Sequence, residues 1–509
     1  MALSLLHRTP TQSPTWSTLT GKLRYSAFML AASSPFSLVL FGASGHLAKQ
    51  KIYPALYVLA LKKRLPKEYC IVGFSRSEMD DSSFREHVAE AVRAGMPEVT
   101  EKALSELLSH MYYHCGQYDK KEDFIQLNTR LLKIEKGWEN RVRLAYLSIP
   151  PTVFAGVLRN LCAGGIHIHE QRGDFRCIVE KPVGHDLQSA EEIQRELSHC
   201  FEEKEIYLLD HYLGKEAVRN VYYLRFANPI LERLCKNTLI HHVQISASEA
   251  AGLEGRTGYF ENTGALRDMF QSHLLMVASL LTMRLEGDEA FRTNRFKAME
   301  QFYLPPATDL NDIVLQGQYS TGELLGRQVA GYTEEKGIAA DSRTNTFIAL
   351  KILSRTARWQ GVPFYLRSGK RLEKKETRIT IQFQEPHLVG KGSSPNRLDI
   401  ILHGEAGMRV YMQTKLGGTE PEFRPLILED PLVCFGDCLP EHGLLLLEAI
   451  HGKQQWYLSF NEVRFAWRLL DPIQAHLTKP DTPLYTYAAG TEGPKEAGKW
   501  VERDGIHWF

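Results

Sequence analysis

Apolar and polar residues follow a strand–helix–strand pattern through the first 210 residues. Short apolar runs at 37–41 and 69–74 predict two buried strands, and runs at 142–148 and 178–179 predict two more. Amphipathic spacing predicts the intervening helices, at 48–63, 84–94 and 101–110. Because alternating strands and helices are typical of parallel βαβ units, we expect an α/β sheet in this half of the chain.

After residue 210 the pattern becomes that of an antiparallel sheet. Leu239, His241, Val243 and Ile245 stand at every second position, which is the period of a half-buried strand. Further strand patterns lie at 347–354, 377–384, 397–403 and 408–415. Only four residues join the last two, which permits a hairpin but not a parallel crossover. An apolar stretch at 263–285 predicts a covering helix, so we expect a large α+β domain with a mainly antiparallel sheet.

The composition is that of a globular chain with two or three domains. The 509 residues include 61 Lys and Arg against 60 Asp and Glu, which gives a formal net charge of +1. So small a charge gives no overall attraction to nucleic acid or to an anionic membrane, so local basic groups must bind any anionic ligand. No apolar run approaches the roughly 18–20 residues of a membrane span, so we expect no membrane contact.

The N-terminal 34 residues form a compositionally distinct extension. They are rich in Ser and Thr, and from Met1 to Tyr69 the only acidic residue is Glu68. This composition suits an organellar transit segment. A disordered extension is the alternative, as is a start codon set too early, with Met29 as the true start.

The eight cysteines are scattered and include no Cys-x-x-Cys pair. Only Cys434 and Cys438 come near the spacing of zinc ligands. We therefore expect most cysteines to be buried, reduced thiols, which would suit the cytoplasm.

A glycine-rich turn at 42–47 joins the first predicted strand to a helix, a context that can bind phosphate. Its spacing is Gly-x-x-Gly instead of the full Gly-x-Gly-x-x-Gly, so a purely structural turn stays open. An NAD enzyme usually places an acidic residue at the end of the second strand, where it binds the ribose 2′-hydroxyl. This chain has Arg76 there, between Ser75 and Ser77. An arginine with flanking hydroxyls suits a 2′-phosphate and predicts NADP.

Two further motifs place basic groups where a ligand can bind. Lys181 follows the short strand at 178–179, at the end of the strand where α/β sheets bind ligands. His211 and Lys215 are four residues apart and would share one face of a helix, with Tyr212 beside them. Such a cluster suits a phosphate. The structural alternatives are a solvated loop lysine and a surface helix with an accidental basic face.

These motifs, in their order along the chain, resemble those of the glucose-6-phosphate dehydrogenase family. The most specific is the hexapeptide Asp-His-Tyr-Leu-Gly-Lys at 210–215, and the resemblance extends from about Leu38 to Pro494. Other matching segments are the glycine turn, Glu-Lys-Pro at 180–182, Glu-Gly-Arg at 254–256, Arg-Asp with Gln-x-His-Leu-Leu at 267–275, and Arg-Ser-Gly-Lys at 367–370. The resemblance implies a Rossmann-like NADP-binding domain over 35–209, an α+β substrate-binding and oligomerisation domain over 210–509, and a homodimer or homotetramer.

The implied activity is oxidation of β-D-glucose 6-phosphate to 6-phosphogluconolactone with NADP, the first step of the oxidative pentose phosphate pathway. His273 would be the general base and Asp210 its carboxylate partner, with no metal required. The implied substrate-binding residues are Lys181, His211, Tyr212, Lys215, Glu249, Asp268, Lys370 and Lys375. The implied NADP-binding residues are Gly42, Ser44, Gly45, Leu47, Arg76 and Lys181, and Lys51 is a second-rank candidate.

The residue types suit this chemistry. A neutral imidazole near pH 7 can take the hydroxyl proton as hydride leaves the same carbon. A carboxylate on the other ring nitrogen fixes the tautomer and stabilises the imidazolium. A lone histidine is more often a core residue, but the nearby Asp268 and the phosphate cluster favour the base.

The chain departs from the family pattern at two places. His46 stands where the family usually has Asp, which leaves the tolerance of NAD open. The segment 415–418 lacks the paired lysines that animal enzymes use near a second, structural NADP, so that second site is in doubt. The alternative functions are another NADP-dependent sugar dehydrogenase of similar layout and a catalytically dead, NADP-binding regulatory homologue. The second would be expected to lose His273 or Asp210.

Overall fold

The computed structural model describes residues 34–167, 173–285, 290–386, 392–432, 434 and 436–509. These residues form a six-stranded parallel sheet followed by a larger, mostly antiparallel sheet. The predicted class, a Rossmann-like α/β domain followed by an α+β domain, is confirmed. Apart from Ser34, the predicted N-terminal extension lies outside the described residues.

The first sheet is parallel throughout and has the strand order of a dinucleotide-binding fold. Its strands are β1 (Phe36–Phe41), β2 (Tyr69–Ser75), β3 (Met111–Cys115), β4 (Val142–Leu147), β5 (Asp174–Glu180) and β6 (Ile206–Leu209). They pair in the order β3-β2-β1-β4-β5-β6. The sequence pattern missed β3 and β6, because they are only five and four residues long and β3 includes Tyr, His and Cys instead of an apolar run.

Helices pack on both faces of this sheet. A π-helical turn, Ala48–Ile52, leads into the first of them, so the helix predicted at 48–63 is present in two parts. The six helices are α1 (Tyr53–Leu61), α2 (Asp81–Gly95), α3 (Glu101–Ser109), α4 (Lys121–Ile134), α5 (Phe154–Ala163) and α6 (Leu187–Ser198). Asp80 begins α2 by accepting a hydrogen bond from the Ser83 N–H, in a reciprocal capping box.

The second sheet begins with β7 and is mixed but mainly antiparallel. Its described strands are β7 (Ile240–Ser248), β8 (Phe302–Tyr303), β9 (Val314–Ser320), β12 (Phe347–Ser354), β13 (Phe364–Gly369), β14 (Glu376–Phe383), β15 (Arg397–His403), β16 (Gly407–Lys415), β17 (Phe423–Pro431) and β18 (Leu484–Ala488). The main path is β17-β16-β15-β14-β7-β13-β12-β9-β18, and β8 pairs with β12. A separate hairpin consists of β10 (Gly322–Leu324) and β11 (Arg327–Val329).

The helices of the second half are more broken than the pattern predicted. They are α7 (Glu216–Ala227), α8 (Pro229–Leu234), α9 (Thr257–Ala265), α10 (Leu275–Thr282), α11 (Phe291–Met299), α12 (Glu441–Ile450), α13 (Phe460–Leu477) and α14 (Lys495–Glu502). The single helix predicted at 263–285 is wrong in detail. The chain kinks at Gly264, which has φ 64°, and continues as a π-helix over Leu266–Leu274 before α10 begins.

β7 is buried on both faces, so its predicted half-buried character is also wrong. The polar residues His242 and Gln244 were expected on a solvent face, but the C-terminus covers them. The Gln244 side chain donates to the His507 carbonyl oxygen at 2.7 Å and accepts from the Phe509 N–H at 3.1 Å. Because this cover comes from residues more than 260 positions away, local periodicity cannot reveal it.

The expectation of mostly reduced, buried cysteines is wrong for five of the eight. Cys162 pairs with Cys200, and Cys434 pairs with Cys438, in two disulfides. Cys70, Cys177 and Cys235 are buried free thiols, whereas Cys115 is free and exposed. Across the described residues no helix combines the length and the apolar character that a membrane span requires.

Candidate active site

The site lies at the carboxyl edge of the parallel sheet, where strand pairing brings two predicted residues together. Glu180 of β5 and Leu209 of β6 are register partners. Lys181 and Asp210 are the next residues, so they leave the sheet side by side. Asp210 is fully buried and accepts the Tyr212 N–H at 2.9 Å, which fixes the turn that follows β6. This edge is where open α/β sheets bind ligands.

His273 reaches this edge from the other half of the chain. Its Nδ1 lies 2.7 and 2.9 Å from the two carboxylate oxygens of Asp210, and its ring is 3% exposed. The Lys181 Nζ lies 3.4 Å from Nε2 on the other side of the ring. An ammonium can only donate and a carboxylate can only accept, so this arrangement favours the tautomer with the proton on Nδ1. The lone pair of the ring is then on Nε2, where Lys181 donates to it.

The π-helix explains how Asp268 joins this group. Asp268 and His273 are five residues apart within Leu266–Leu274. In an α-helix of 3.6 residues per turn they would point in different directions, whereas i→i+5 bonding brings such residues towards one face. Lys181 donates to the Asp268 carbonyl oxygen, and the Tyr259 hydroxyl donates to Asp268 Oδ1 at 3.3 Å.

The predicted phosphate cluster surrounds the same imidazole. The Tyr212 ring stacks on His273 with centroids 4.0 Å apart, and His211 meets His273 edge-on at 4.7 Å. The prediction that His211 and Lys215 share one helix face is wrong, because 211–214 is a 3₁₀ turn and Lys215 precedes α7. Lys215 instead places its Nζ 3.9 Å from the Tyr212 ring centroid. The turn at 211–214, and not helical spacing, therefore places Lys215 against Tyr212.

The remaining predicted sugar contacts come from the second sheet. Ser248 and Gly369 pair at the carboxyl ends of parallel strands β7 and β13, so Glu249 and Lys370 emerge together. Their side chains form an ion pair of 2.6 Å. Lys375 is exposed and stands just before β14, whose first residue also pairs with Ser248. Electrostatic interactions link these residues to the group around His273, because Glu249 interacts with Lys181 and Tyr212, and Lys375 interacts with Lys215.

Burial sets the charge states in this site. It lowers the pKa of His273, and this effect outweighs the opposing influence of Asp210. Burial alone would raise the pKa of Asp210, yet His273 and Lys181 hold it well below its usual range. Burial also lowers the pKa of Lys215. Near pH 7, then, Asp210 is a carboxylate and His273 is a neutral imidazole able to accept a proton.

The glycine turn has the shape of a dinucleotide cradle. Gly42 has φ 80°, and a Cβ there would collide with the Ser148 carbonyl oxygen, so the turn requires glycine. The Gly45 N–H donates to the Gly42 carbonyl oxygen at 2.8 Å, and Leu47 opens the following helical turn. Arg76 is exposed at the end of β2, with its guanidinium 5.7 Å from the Tyr118 ring centroid. These features fit a nicotinamide dinucleotide.

Several residues near the site were missed by sequence reasoning. Tyr118 follows β3, a strand that the pattern did not reveal, and Tyr259 contacts Asp268 only through the fold. His403 is the last residue of β15, and its pKa is lowered mainly by burial. Lys215 and Lys375 lower this pKa further, whereas Glu441 and Glu249 raise it. Glu441 also pairs with the second-rank candidate Lys51 at 3.3 Å. Of these residues, only His403 could have been found from the sequence, because it lies at the start of the predicted hairpin.

Comparison with known families matches almost the whole described chain. Residues 39–220 match the family model described as the NAD binding domain of glucose-6-phosphate dehydrogenase, and residues 222–509 match that of its C-terminal domain. The chain belongs to the glucose-6-phosphate dehydrogenase family. It is an oxidoreductase with glucose-6-phosphate 1-dehydrogenase activity, as the resemblance in the sequence implied.

Individual relatives agree with the family models. The chain is 36% identical over 494 residues to the glucose-6-phosphate 1-dehydrogenase of Chlamydia pneumoniae, covering 93% of this chain and 96% of that one. It is 33% identical over 483 residues to the enzyme of Bacillus subtilis, with coverage of 93% and 98%. A solved glucose-6-phosphate dehydrogenase in complex with its substrate superposes with a TM-score of 0.85 at 30% identity, covering 94% of this chain and 99% of that chain.

Proposed function

We propose that this glucose-6-phosphate dehydrogenase uses NADP and that His273 is its general base. The observation that carries this proposal is the buried Asp210–His273 hydrogen bond beside the phosphate cluster, on the sheet edge that also carries the glycine turn and Arg76. In the proposed step, Nε2 of His273 takes the proton from the C1 hydroxyl of β-D-glucose 6-phosphate. The hydrogen on C1 leaves with its electron pair as hydride, and the C1–O bond becomes the lactone carbonyl of 6-phosphogluconolactone.

The other residues hold and orient the reactants. Asp210 keeps the Nδ1 proton in place and stabilises the imidazolium, while Lys181 lies between sugar and cofactor. His211, Tyr212 and Lys215 bind the 6-phosphate. Glu249, Asp268, Lys370 and Lys375 contact the sugar. Gly42, Ser44, Gly45, Leu47 and Arg76 would hold NADP, which supplies the hydride acceptor when bound.

The domain division and the location also belong to this proposal. We place the division near Asp210, because the parallel sheet ends at Leu209. The NADP-binding domain then spans 35–209 and the substrate and oligomerisation domain 210–509. A cytoplasmic location stays a prediction, with an organelle as the alternative if residues 1–34 act as a transit segment. That no metal is needed likewise stays a prediction.

His273→Asn tests the base. The amide keeps a hydrogen-bonding group but cannot accept a proton near neutral pH, so kcat should fall by about 10²–10⁴. The Kd for glucose 6-phosphate should stay within a few-fold, because the phosphate is bound elsewhere. Steady-state kinetics and equilibrium binding measure the two. Near-normal turnover would overturn the assignment and move suspicion to Asp268.

The pH dependence tests the same base without a substitution at it. A protonated imidazole cannot take a proton, so kcat/KM should fall as pH decreases through the pKa of His273. Because burial lowers that pKa below its ordinary 6.5, the acid limb should lie below pH 6.5. Asp210→Asn removes an influence that raises the pKa, so the limb should move to still lower pH as kcat falls. An unmoved limb in this variant would contradict the pairing.

Arg76→Ala tests the preference for NADP. A charge-assisted hydrogen bond contributes roughly 1.5–3 kcal/mol. Losing the one to the 2′-phosphate should therefore raise the KM for NADP by about 10- to 100-fold. NAD has a 2′-hydroxyl instead, so its KM should change little and serves as the internal control. Initial rates with both cofactors give the comparison. An equal change for both would remove Arg76 from the 2′-phosphate.

Lys215→Ala tests the phosphate cluster. The ammonium binds phosphate as a point charge, so its loss should raise the KM for glucose 6-phosphate by about 10-fold or more. Any trace activity on unphosphorylated glucose should be unchanged, because that sugar offers no anion. Lys204→Ala, at an exposed lysine paired with Glu202, is the matched control. A uniform loss with both sugars would indicate structural damage.

The edge of the second sheet supports a homo-oligomer. β17 is an edge strand, yet Leu426, Ile427 and Leu428 are 37, 51 and 51% exposed in succession. Phe226 and Ile230 add exposed apolar area on α7 and α8, and α7 packs against β15 of the same sheet. Exposed apolar edge strands invite pairing with another chain and are normally covered. We propose that a second copy of this chain covers this surface in a homodimer, or within a homotetramer.

Ile427→Lys tests this interface. The wild type should sediment as a dimer or tetramer of the 57.9 kDa chain, and the buried charge should shift it towards the monomer. Leu325→Lys is the matched control, since Leu325 is 89% exposed in the β10–β11 hairpin, away from β17. Analytical ultracentrifugation at several concentrations measures both. An unchanged mass for Ile427→Lys, or a monomeric wild type, would contradict the interface.

A further inference from the structure

Tyr113 joins two residues that flank Arg76. Its side chain is 2% exposed and packs on Phe84 of α2, with ring centroids 5.1 Å apart. The hydroxyl extends to the end of the neighbouring strand β2, where it lies 2.7 Å from Ser75 Oγ and donates to the Ser77 carbonyl oxygen at 2.5 Å. One buried hydroxyl therefore binds the chain immediately before and immediately after Arg76.

The serine hydroxyls extend this network to the glycine turn. Ser75 Oγ lies 3.1 Å and Ser77 Oγ lies 3.3 Å from Ser44 Oγ. A hydroxyl carries one proton and can rotate, and the Tyr113 proton is already directed to the Ser77 carbonyl oxygen. Ser75 Oγ therefore donates to the Tyr113 oxygen across their 2.7 Å contact, and the hydroxyls of Ser44 and Ser77 are left to turn towards an oxyanion. The network links the turn proposed to hold NADP with the segment that presents Arg76.

Side chains also fix the backbone of Tyr113 from outside the sheet. β3 is an edge strand, so its outer N–H and C=O groups have no further strand to pair with. The Tyr113 N–H instead donates to Asp81 Oδ1 at 2.7 Å, and Arg130 donates to the Tyr113 carbonyl oxygen at 2.6 Å. Arg130 also donates to both Asp81 carboxylate oxygens at 2.7 Å. The hydroxyl is thus held on a rigid element independently of any ligand.

We propose that Tyr113 is a positioning residue for recognition of the NADP 2′-phosphate, acting through the backbone on both sides of Arg76. The inference rests on the proposed function, in which Arg76 binds that phosphate. Arg76 itself is exposed and long, so ordering it on binding costs side-chain entropy. Fixing its backbone and the adjoining hydroxyls in advance reduces the cost of forming the site. NAD has no 2′-phosphate, so it gains nothing from this preorganisation.

Tyr113→Phe removes only the hydroxyl and is the direct test. The KM for NADP should rise by about 3- to 10-fold, the range for losing a hydrogen bond between neutral groups. The KM for NAD and both kcat values should stay within about two-fold, so the NADP over NAD ratio of kcat/KM should fall. Tyr112→Phe is the matched control, because Tyr112 precedes Tyr113 on β3 and its ring lies beside Arg85 and Arg130. Equal losses with both cofactors would overturn the proposal.

A double variant separates positioning from direct contact. If Tyr113 acts through Arg76, adding Tyr113→Phe to Arg76→Ala should leave the KM for NADP unchanged from that of Arg76→Ala alone. An additive loss would overturn the positioning role. If Arg76→Ala raises the KM for NADP more than that for NAD but Tyr113→Phe does not, only this inference fails. If Arg76→Ala changes both KM values equally, the proposed NADP site fails and this inference fails with it.

Discussion

The hydrogen bond between Asp210 and His273 is the contact on which the site depends. It joins residues 63 positions apart, and both are buried. Burial keeps His273 neutral against the influence of Asp210, while His273 and Lys181 keep Asp210 charged against burial. A buried carboxylate without a partner is costly, whereas one that accepts from an imidazole and from a backbone N–H is stable. The same carboxylate caps the turn before Lys215. Orientation of the base and placement of the phosphate cluster therefore share one anchor.

Three local devices bring the reacting groups to that anchor. The register of β5 and β6 delivers Lys181 beside Asp210, and the parallel pair β7 and β13 delivers Glu249 beside Lys370. The π-helix after the kink at Gly264 turns Asp268 towards the face that carries His273. Each device is a backbone feature, so the side chains start close to their working positions and little reorganisation is needed on binding.

The sequence predicted what depends on local pattern. Apolar runs located β1, β2 and β4, and the glycine turn and the tripeptide at 180–182 appeared where strands end. It could not predict contacts created by distant segments. The C-terminal cover over Gln244, the pairing of Cys162 with Cys200 and the π-helix at 266–274 all depend on tertiary packing that competes with local propensity. The edge strand β3 was missed because it has only five residues and no apolar run, and Tyr118 and Tyr113 were missed with it.

The mechanism depends on one imidazole: His273 is neutral near pH 7 with its proton on Nδ1. NMR of the ¹⁵N-labelled histidines, assigned by loss of a signal in His273→Asn, measures both the tautomer and the pKa in the folded enzyme. We expect a protonated Nδ1, an unprotonated Nε2 and a pKa below the ordinary 6.5, because burial outweighs the attraction of Asp210. A ring protonated on Nε2, or one that titrates above 6.5, would contradict it.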